Sequence, residues 1–173
     1  MVVACLLLAG CVGGQPASAS PSAHSTVTAT AAPCSAPEAT QFDFYVGTWN
    51  MSWTEFGPTR FTGTDVVVKK GCELYETLTA AEFLGTPNYR ATSVTAWDAA
   101  RGRWVQDYRD NGGRKTYVGT YRDGQMVLES NPPIKQRLTW REIAATGFVW
   151  TFETSPDGGL TWNQQAAIDY RRA

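Results

Sequence analysis

The chain has 173 residues, of which 12% are aromatic and 18% charged, and its formal net charge is −1. This composition, without a basic patch or an arginine run, gives no indication of nucleic-acid binding, which requires clustered Lys and Arg. The only histidine is His24, close to the N terminus. A folded domain that begins after this residue has no imidazole for ligating a metal or haem, or for general base catalysis.

The first residues are typical of an export signal. Residues 1–11 are apolar and end in the tetrapeptide Leu-Ala-Gly-Cys at Cys11. The run is too short to span a bilayer, which needs about 20 apolar residues, and it resembles a bacterial lipobox, whose cysteine is lipidated after cleavage. We therefore expect an exported protein, lipid-anchored through Cys11 to the outer face of the cytoplasmic membrane or to a periplasmic membrane face. The alternative is a chance Ala-Gly-Cys after an apolar start.

Residues 12–40 predict a disordered tether. They are rich in Ala, Ser, Thr and Pro, and their one carboxylate or cationic side chain is Glu38. Such a segment buries too little apolar surface to offset the entropy lost on ordering. It would connect the membrane to a domain that comprises residues 41–173.

Two cysteines remain after removal of the signal and acylation of Cys11. In an exported protein, such a pair favours a disulfide, here between Cys34 and Cys72. Two free thiols are the alternative.

Residues 41–173 predict an all-β domain. Short aromatic and β-branched runs recur about every ten residues, separated by Gly, Asp and Asn turns such as those at 110–113, 123–124 and 157–159. The predicted strands are 47–56, 60–69, 72–79, 89–97, 103–110, 114–122, 125–131, 134–143, 147–154 and 162–171, and residues 37–45 predict a short helical turn. A meander of this length closes to remove its exposed edges, so we predict an up-and-down antiparallel β-barrel of about ten strands.

Side-chain alternation places large aromatic residues beside polar groups on one face of several strands. This mixture is typical of a ligand cavity, which is mostly apolar with a few polar groups that fix orientation. The predicted ligand-binding residues are Glu76, Ser93, Trp97, Trp104, Gln106, Tyr108, Asp110, Arg137 and Trp150. Two alternatives stay open, namely that the polar groups satisfy one another structurally, or that a buried carboxylate acts as a general base.

No set of residues indicates a cofactor or a metal. The domain lacks a nucleophile paired with a histidine base. Asp43, Asp65 and Asp98 are scattered and do not have calcium-loop spacing. We therefore expect neither a metal site nor a cofactor.

An ordered series of motifs covers nearly all of residues 41–173. It consists of Phe42-Asp43-Phe44-x-x-Gly47-x-Trp49, Gly71-Cys72-x-Leu74-x-Glu76, Ser93-x-x-x-Trp97-Asp98, Trp104-x-Gln106-x-Tyr108-x-Asp110, Tyr117-x-Gly119, Met126-Val127-Leu128, Arg137-x-Thr139-Trp140 and Ser155-x-Asp157-Gly158-Gly159-x-Thr161-Trp162. The series resembles the DUF1579-type lipocalin-like proteins of bacteria. This resemblance implies a calycin-like barrel, similar to the ten-stranded nitrobindin type, without an established activity. Haem binding of the nitrobindin kind needs a proximal histidine, which the domain lacks, so we expect no haem.

Two motifs have structural interpretations. In lipocalin-like barrels the tryptophan of a Gly-x-Trp motif plugs one end, and a basic residue of the last strand lies across it. The corresponding plug here is Gly47, Trp49 and Arg171, with Arg172 as the alternative cation. The segment from Ser155 to Trp162 resembles the Asp-box turn of sialidase propellers and predicts a stable hairpin around Asp157.

Together these features favour an envelope lipoprotein whose barrel binds a small apolar or amphipathic molecule. The alternatives are a cofactor-independent isomerase or hydrolase that uses Glu76 or Asp110, and a packed interaction domain without a ligand. A hollow lumen would support the first, an open pocket around a carboxyl group with a raised pKa the second, and an interior filled with side chains the third.

Overall fold

The structure, a computed structural model, describes residues 34–55, 57–130 and 134–173. The predicted signal, Cys11 and residues 12–33 of the predicted tether lie outside the described residues, as do the predicted strand ends at 56 and 131. Within the described part of the chain, no helix is both long and apolar enough to cross a membrane.

Ten strands follow one another along the chain and close into a barrel. They are β1 (Gly47–Thr54), β2 (Arg60–Lys70), β3 (Glu73–Phe83), β4 (Thr86–Asp98), β5 (Arg103–Asp110), β6 (Gly113–Arg122), β7 (Gln125–Ser130), β8 (Lys135–Ala144), β9 (Gly147–Ser155) and β10 (Asn163–Arg172). Each strand pairs antiparallel with its neighbours in sequence, and β1 closes the ring on β10, with Trp49 opposite Arg172. The predicted up-and-down antiparallel barrel is confirmed.

The hairpin between β3 and β4 is longer than the sequence predicts. Phe83 pairs with Thr86, and the intervening Leu84 and Gly85 have φ angles of 48° and 74°. Two central residues with positive φ are typical of a type I′ turn. Because leucine rarely adopts this conformation, the Leu-Gly pair gave no turn signal in the sequence.

The ordered domain starts before residue 41. The helical turn predicted in residues 37–45 is present as two 3₁₀ helices, Pro37–Thr40 and Asp43–Tyr45, and Ala39 is buried. The predicted disulfide between Cys34 and Cys72 is formed, with a Cα–Cα distance of 5.2 Å. Cys72 lies in the turn before β3 rather than in the strand. The last residues of the predicted tether, from Cys34 onwards, therefore belong to the barrel domain.

Trp49 closes one end of the barrel, as the Gly-x-Trp motif predicts. Its side chain is fully buried, contacts Phe148 at 4.8 Å between ring centroids, and donates its indole N–H to the Tyr45 carbonyl at 2.7 Å. The cation across the indole is Arg172, whose guanidinium carbon lies 3.9 Å from the ring centroid. Arg171 does not hold this position, because its side chain is 66% exposed and lies beside Asp169.

Arg172 also fastens the segment before β1 to the barrel. Its guanidinium donates to the carbonyl oxygens of Val46 at 2.6 Å and Phe44 at 3.3 Å. Gly47 has φ of 140°, and a Cβ atom there would overlap this guanidinium. Glycine at this position therefore both permits the positive φ angle and leaves room for the Arg172 guanidinium.

The Asp-box segment forms the predicted hairpin turn. One oxygen of Asp157 accepts the amide N–H groups of Leu160 at 3.1 Å and Thr161 at 2.8 Å, and the other accepts the Thr161 hydroxyl at 2.6 Å. These bonds, led by the one from the Thr161 hydroxyl, lower the pKa of Asp157. The half-buried Trp162 packs outside the barrel beneath Arg137, 4.0 Å from its guanidinium carbon.

Candidate ligand-binding site

The interior of the barrel is layered along its axis. At the closed end, Phe42 packs edge-on against Trp104 and Trp140, at centroid distances of 5.2 and 5.0 Å. Next to these rings lie polar side chains that include Asp65 and Glu76, and Trp140 also contacts Trp150, at 6.5 Å between ring centroids. A second aromatic layer follows, with Tyr89, Tyr108 and Trp150, and beyond it the barrel opens. Aromatic side chains thus fill the closed end, and within the described residues the space for a ligand lies at the opposite end.

The polar layer is a connected hydrogen-bond network around two buried carboxyl groups. The Tyr45 hydroxyl lies 2.5 Å from Asp65 Oδ2 and 2.9 Å from Glu76 Oε1. Ser93 donates its hydroxyl to Glu76 Oε2, and Gln106 Nε2 donates to Ser93 Oγ at 3.2 Å. Because the Tyr45 hydroxyl has one hydrogen but two carboxyl neighbours, one of these carboxyl groups must supply a proton to satisfy both contacts.

Burial raises the pKa of both carboxyl groups. For Asp65 the pKa lies well above its usual range because of burial first and the charge of Glu76 second, against which hydrogen bonds from Tyr45 and Tyr170 act. For Glu76, burial outweighs hydrogen bonds from Ser93, Tyr45 and Asp65. Two carboxyl groups in one dry site resist simultaneous ionisation. The pair therefore keeps a proton to higher pH than an isolated carboxyl group would.

A small void adjoins the polar layer on its open side. Its volume is about 20 Å³, which is room for roughly one water molecule. The lining combines aliphatic and aromatic side chains with Glu76, Gln106 and Trp140, and among the described residues that line it none is Lys, Arg or His.

A larger pocket of about 330 Å³ occupies the open end of the barrel. This volume lies at the lower end of the range for small-molecule sites, about 300–1,000 Å³. The pocket is lined by apolar and aromatic side chains with a few polar ones at its rim: Phe83, Leu84, Thr86, Tyr89, Tyr108, Asp110, Lys115, Tyr117, Gln136, Leu138, Trp150, Phe152, Thr154 and Gln165. We call this space the mouth pocket.

Three tyrosine hydroxyls belong to the polar lining of the mouth pocket. Tyr89 and Tyr108 hydrogen-bond to each other at 2.7 Å, and Tyr89 also donates to Asp110 at 3.2 Å. Lys115 lies 3.8 Å from the same carboxylate, so the charges at the rim are of both signs. Tyr117 donates to Gln136 at 2.7 Å. A ligand here would meet flat aromatic faces and hydroxyl groups rather than a field of one sign.

The mouth pocket and the void are adjacent. Five side chains line both spaces: Phe83, Tyr89, Tyr108, Leu138 and Trp150. They lie between the two spaces, so a group that reaches from one space into the other must pass between them.

The β3–β4 hairpin contributes Phe83, Leu84 and Thr86 to the wall of the mouth pocket. Glu55 holds this hairpin against β1, because its Oε1 accepts both the Leu84 amide and the Trp53 indole N–H at 2.7 Å. The positive φ of Leu84 is thus supported by a charge-assisted hydrogen bond at its own amide. The hairpin conformation at this wall of the mouth pocket is therefore stabilised by the contact with Glu55 rather than by the turn propensity of Leu84.

The structure brings together six of the nine predicted ligand-binding residues. Glu76, Gln106, Tyr108 and Trp150 line the void, Asp110 lies at the rim of the mouth pocket, and Ser93 supports Glu76. Trp97 and Trp104 also point inward but pack together at the closed end, 5.8 Å apart, where they touch neither space.

The prediction for Arg137 is wrong. Arg137 lies on the outer surface of β8, where it pairs with Glu153 at 2.8 Å and stacks on Trp162. Its neighbours Gln136 and Leu138 point inward and line the mouth pocket. Strand alternation therefore turns Arg137 outward.

Several residues of the site were missed in the sequence. Asp65 is fully buried, and the inward-facing Val67 follows it at a spacing of two, which is the signal that would have placed it inside. Tyr45 lies outside the strands and reaches the carboxyl pair only because the 3₁₀ segment crosses the end of the barrel. Tyr89 was missed because the sequence placed it at the start of a strand, whereas β4 begins three residues earlier.

The described residues contain no cluster of three or more His, Cys, Asp or Glu side chains suited to a metal ion. No protein-family model matches the chain, and no curated protein matches it. Among solved structures, a chain described as "Structure of EF1p2_mFAP2b bound to DFHBI" is similar over 79% of this chain and 99% of that chain, with 12% identity and a TM-score of 0.39. A likeness at this level carries no argument about function, so the proposal below depends on the geometry of the barrel. The resemblance to DUF1579-type proteins stays a prediction from the motifs.

Proposed function

We propose that this protein is an exported, lipid-anchored barrel that binds a small apolar or amphipathic molecule in the mouth pocket. The observation that carries the proposal is the pocket of about 330 Å³ at the open end, walled by aromatic side chains with tyrosine hydroxyls among them. Flat rings give large contact area with little loss of conformational entropy, and the hydroxyl groups fix orientation.

The geometry favours binding over the two alternatives. Glu76 has the raised pKa expected of a general base, but its carboxylate is already held by Tyr45 and Ser93 and faces a void for one water. The void beside it has room for one hydroxyl-sized group but not for the reacting centre of a substrate. An interaction domain without a ligand would have a fully packed interior, whereas the packing here ends below the mouth pocket.

The pocket is tested by filling it. Thr154 lies on β9 and lines the mouth pocket, so Thr154→Trp places an indole in the space that a ligand would occupy. We expect the affinity for the neutral dye Nile red, measured by its fluorescence, to fall by at least about tenfold, because the lost contact area is apolar. The matched control is Thr77→Trp on the exposed outer face of β3, which should bind as the wild type does. Equal binding by both variants would refute the proposed site.

The lipid anchor is supported by the lipobox-like residues before Cys11 and by the disulfide at Cys34, since disulfides persist in oxidising compartments. In a bacterial host, we expect the mature N-terminal peptide to begin at an acylated Cys11, detected by mass spectrometry of the membrane fraction. Cys11→Ser should leave the protein unacylated and release it from that fraction. Recovery of unacylated wild-type protein from the soluble fraction would overturn the anchor and leave the pocket unaffected.

A further inference from the structure

We propose that the ligand carries a terminal hydroxyl group, which occupies the void beneath the mouth pocket, and that the barrel discriminates against ligands ending in a carboxylate. This inference rests on the proposed function, because the apolar body of the ligand must lie in the mouth pocket. It concerns only the chemical group at the ligand's inner end.

Two side chains that line the void each carry a buried polar atom without a partner. Gln106 Oε1 and Trp140 Nε1 belong to side chains that are each 1% exposed, and neither atom makes a hydrogen bond within the described structure. The orientation of the Gln106 amide is fixed by its neighbours, since Nε2 donates to Ser93 Oγ and lies 3.5 Å from the Glu76 carboxylate. An unpartnered buried polar atom is costly, and native structures normally satisfy it.

The two atoms are complementary in kind. Gln106 Oε1 can only accept a hydrogen bond, and the Trp140 indole N–H can only donate one. A hydroxyl group does both, and the void of about 20 Å³ has room for one group of that size. A single water molecule fulfils the same conditions, so we expect water there until a ligand hydroxyl displaces it.

The charges around the void select against an anion. The titratable groups that face it or lie behind it are Glu76 on β3, Asp65 on β2, Tyr89 on β4, Tyr108 on β5, Tyr45 in the 3₁₀ segment and Tyr170 on β10. None of these is a cation, and Lys115 at the rim already lies beside Asp110. A carboxylate tip would be desolvated beside Glu76 without a counter-charge, which is strongly unfavourable.

Three probes with the same two-ring body separate these contributions. Naphthalene, 2-naphthol and 2-naphthoate differ only at the tip, and their dissociation constants can be compared by isothermal titration calorimetry at neutral pH. We expect 2-naphthol to bind about tenfold more tightly than naphthalene, since it satisfies two buried groups. We expect 2-naphthoate to bind at least about tenfold more weakly than 2-naphthol.

Two variants test whether the preference arises at the void. Gln106→Met removes the acceptor at similar volume, and Trp140→Phe removes the donor. In each variant the affinity for 2-naphthol should fall to that of the same variant for naphthalene, so that the ratio of the two dissociation constants approaches one. The second variant keeps the test intact if the first does not fold.

The outcomes distinguish the two proposals. Binding of all three probes with equal affinity, lost in Thr154→Trp, would overturn the hydroxyl inference and leave the proposed function in place. Failure of all three probes to bind the wild type would contradict both proposals for ligands of this size. A 2-naphthol preference that persists in Gln106→Met and in Trp140→Phe would place the hydroxyl outside the void and overturn the inference.

Discussion

Replacing Trp49 by alanine is expected to reduce the free energy of unfolding by about 3–5 kcal/mol, the usual cost of truncating a large buried aromatic side chain. The substitution removes the edge-on contact with Phe148 and the indole hydrogen bond to the Tyr45 carbonyl. It also removes the ring beneath the Arg172 guanidinium, a contact worth about 0.5–2 kcal/mol. Because small domains are stable by only about 5–15 kcal/mol, urea unfolding should show a large shift of the midpoint.

Trp162→Ala is the matched control for this experiment. Trp162 also lies beneath an arginine, but it is half-buried on the outside of the barrel. Removing the Trp162 side chain should reduce the free energy of unfolding by only about 1–2 kcal/mol, because folding buries less apolar area of Trp162 than of Trp49. Below the denaturation midpoint, the Trp49 variant should still bind the neutral dye, because the plug and the mouth pocket are at opposite ends. A Trp49→Ala protein of wild-type stability that no longer binds would show that the tryptophan belongs to the binding site.

Much of the fold could be predicted because its determinants are local. Gly, Asp and Asn at the turns and the two-residue alternation of aromatic side chains predict eight of the nine connections between the ten strands. The exception is the Leu84–Gly85 turn, whose positive φ values are supported by Glu55, a residue 29 positions away from Leu84. No local preference could have indicated that contact.

The site was only partly predictable, because depth along the barrel axis depends on the stagger between strands. Alternation correctly turned Trp97 and Trp104 inward, yet it could not tell the closed end from the open one. For Arg137 the signal was present, since Leu138 and Trp140 define the inward phase of β8 and leave Arg137 on the other face. Arg137 was nevertheless predicted to lie with the inward polar residues, whereas its contacts with Glu153 and Trp162 place it on the outer surface.

The carboxyl pair is a further consequence of tertiary packing. Asp65 and Glu76 lie on adjacent strands, but their protonation depends on Tyr45, which arrives from the segment that crosses the closed end. A tyrosine supplied from outside the sheet thus links the plug to the polar floor of the cavity. Tyr45 therefore contributes both to the closed end, which stabilises the fold, and to the protonation of the carboxyl pair next to the void.

Asp65→Asn is expected to change the pH dependence of stability. The folded-state pKa of Asp65 lies above the unfolded value of about 4, so in the interval between the two the folded protein binds more protons than the unfolded chain. Stability from this group is fully present below the unfolded pKa and is lost as pH rises through the folded pKa. In that interval the free energy of unfolding should fall by up to about 1.4 kcal/mol per pH unit for each excess proton. Asparagine cannot ionise, so the variant should lose this slope and gain stability relative to the wild type as the pH rises through the folded-state pKa of Asp65.

Asp157→Asn serves as a control with the opposite sign. Hydrogen bonds from Thr161 and Ser155 lower the pKa of Asp157, so its contribution is present above the unfolded pKa and is lost as pH falls. This variant should therefore be less stable than the wild type at neutral pH and should converge with it in acid. Both comparisons come from denaturant unfolding at a series of pH values, read as differences from the wild type so that other titrating groups cancel. Parallel curves for the wild type and Asp65→Asn would mean that the buried pair ionises in the folded protein as it does in the unfolded chain. The polar layer beneath the void would then carry two negative charges, and a ligand ending in a carboxylate would be excluded from it still more strongly.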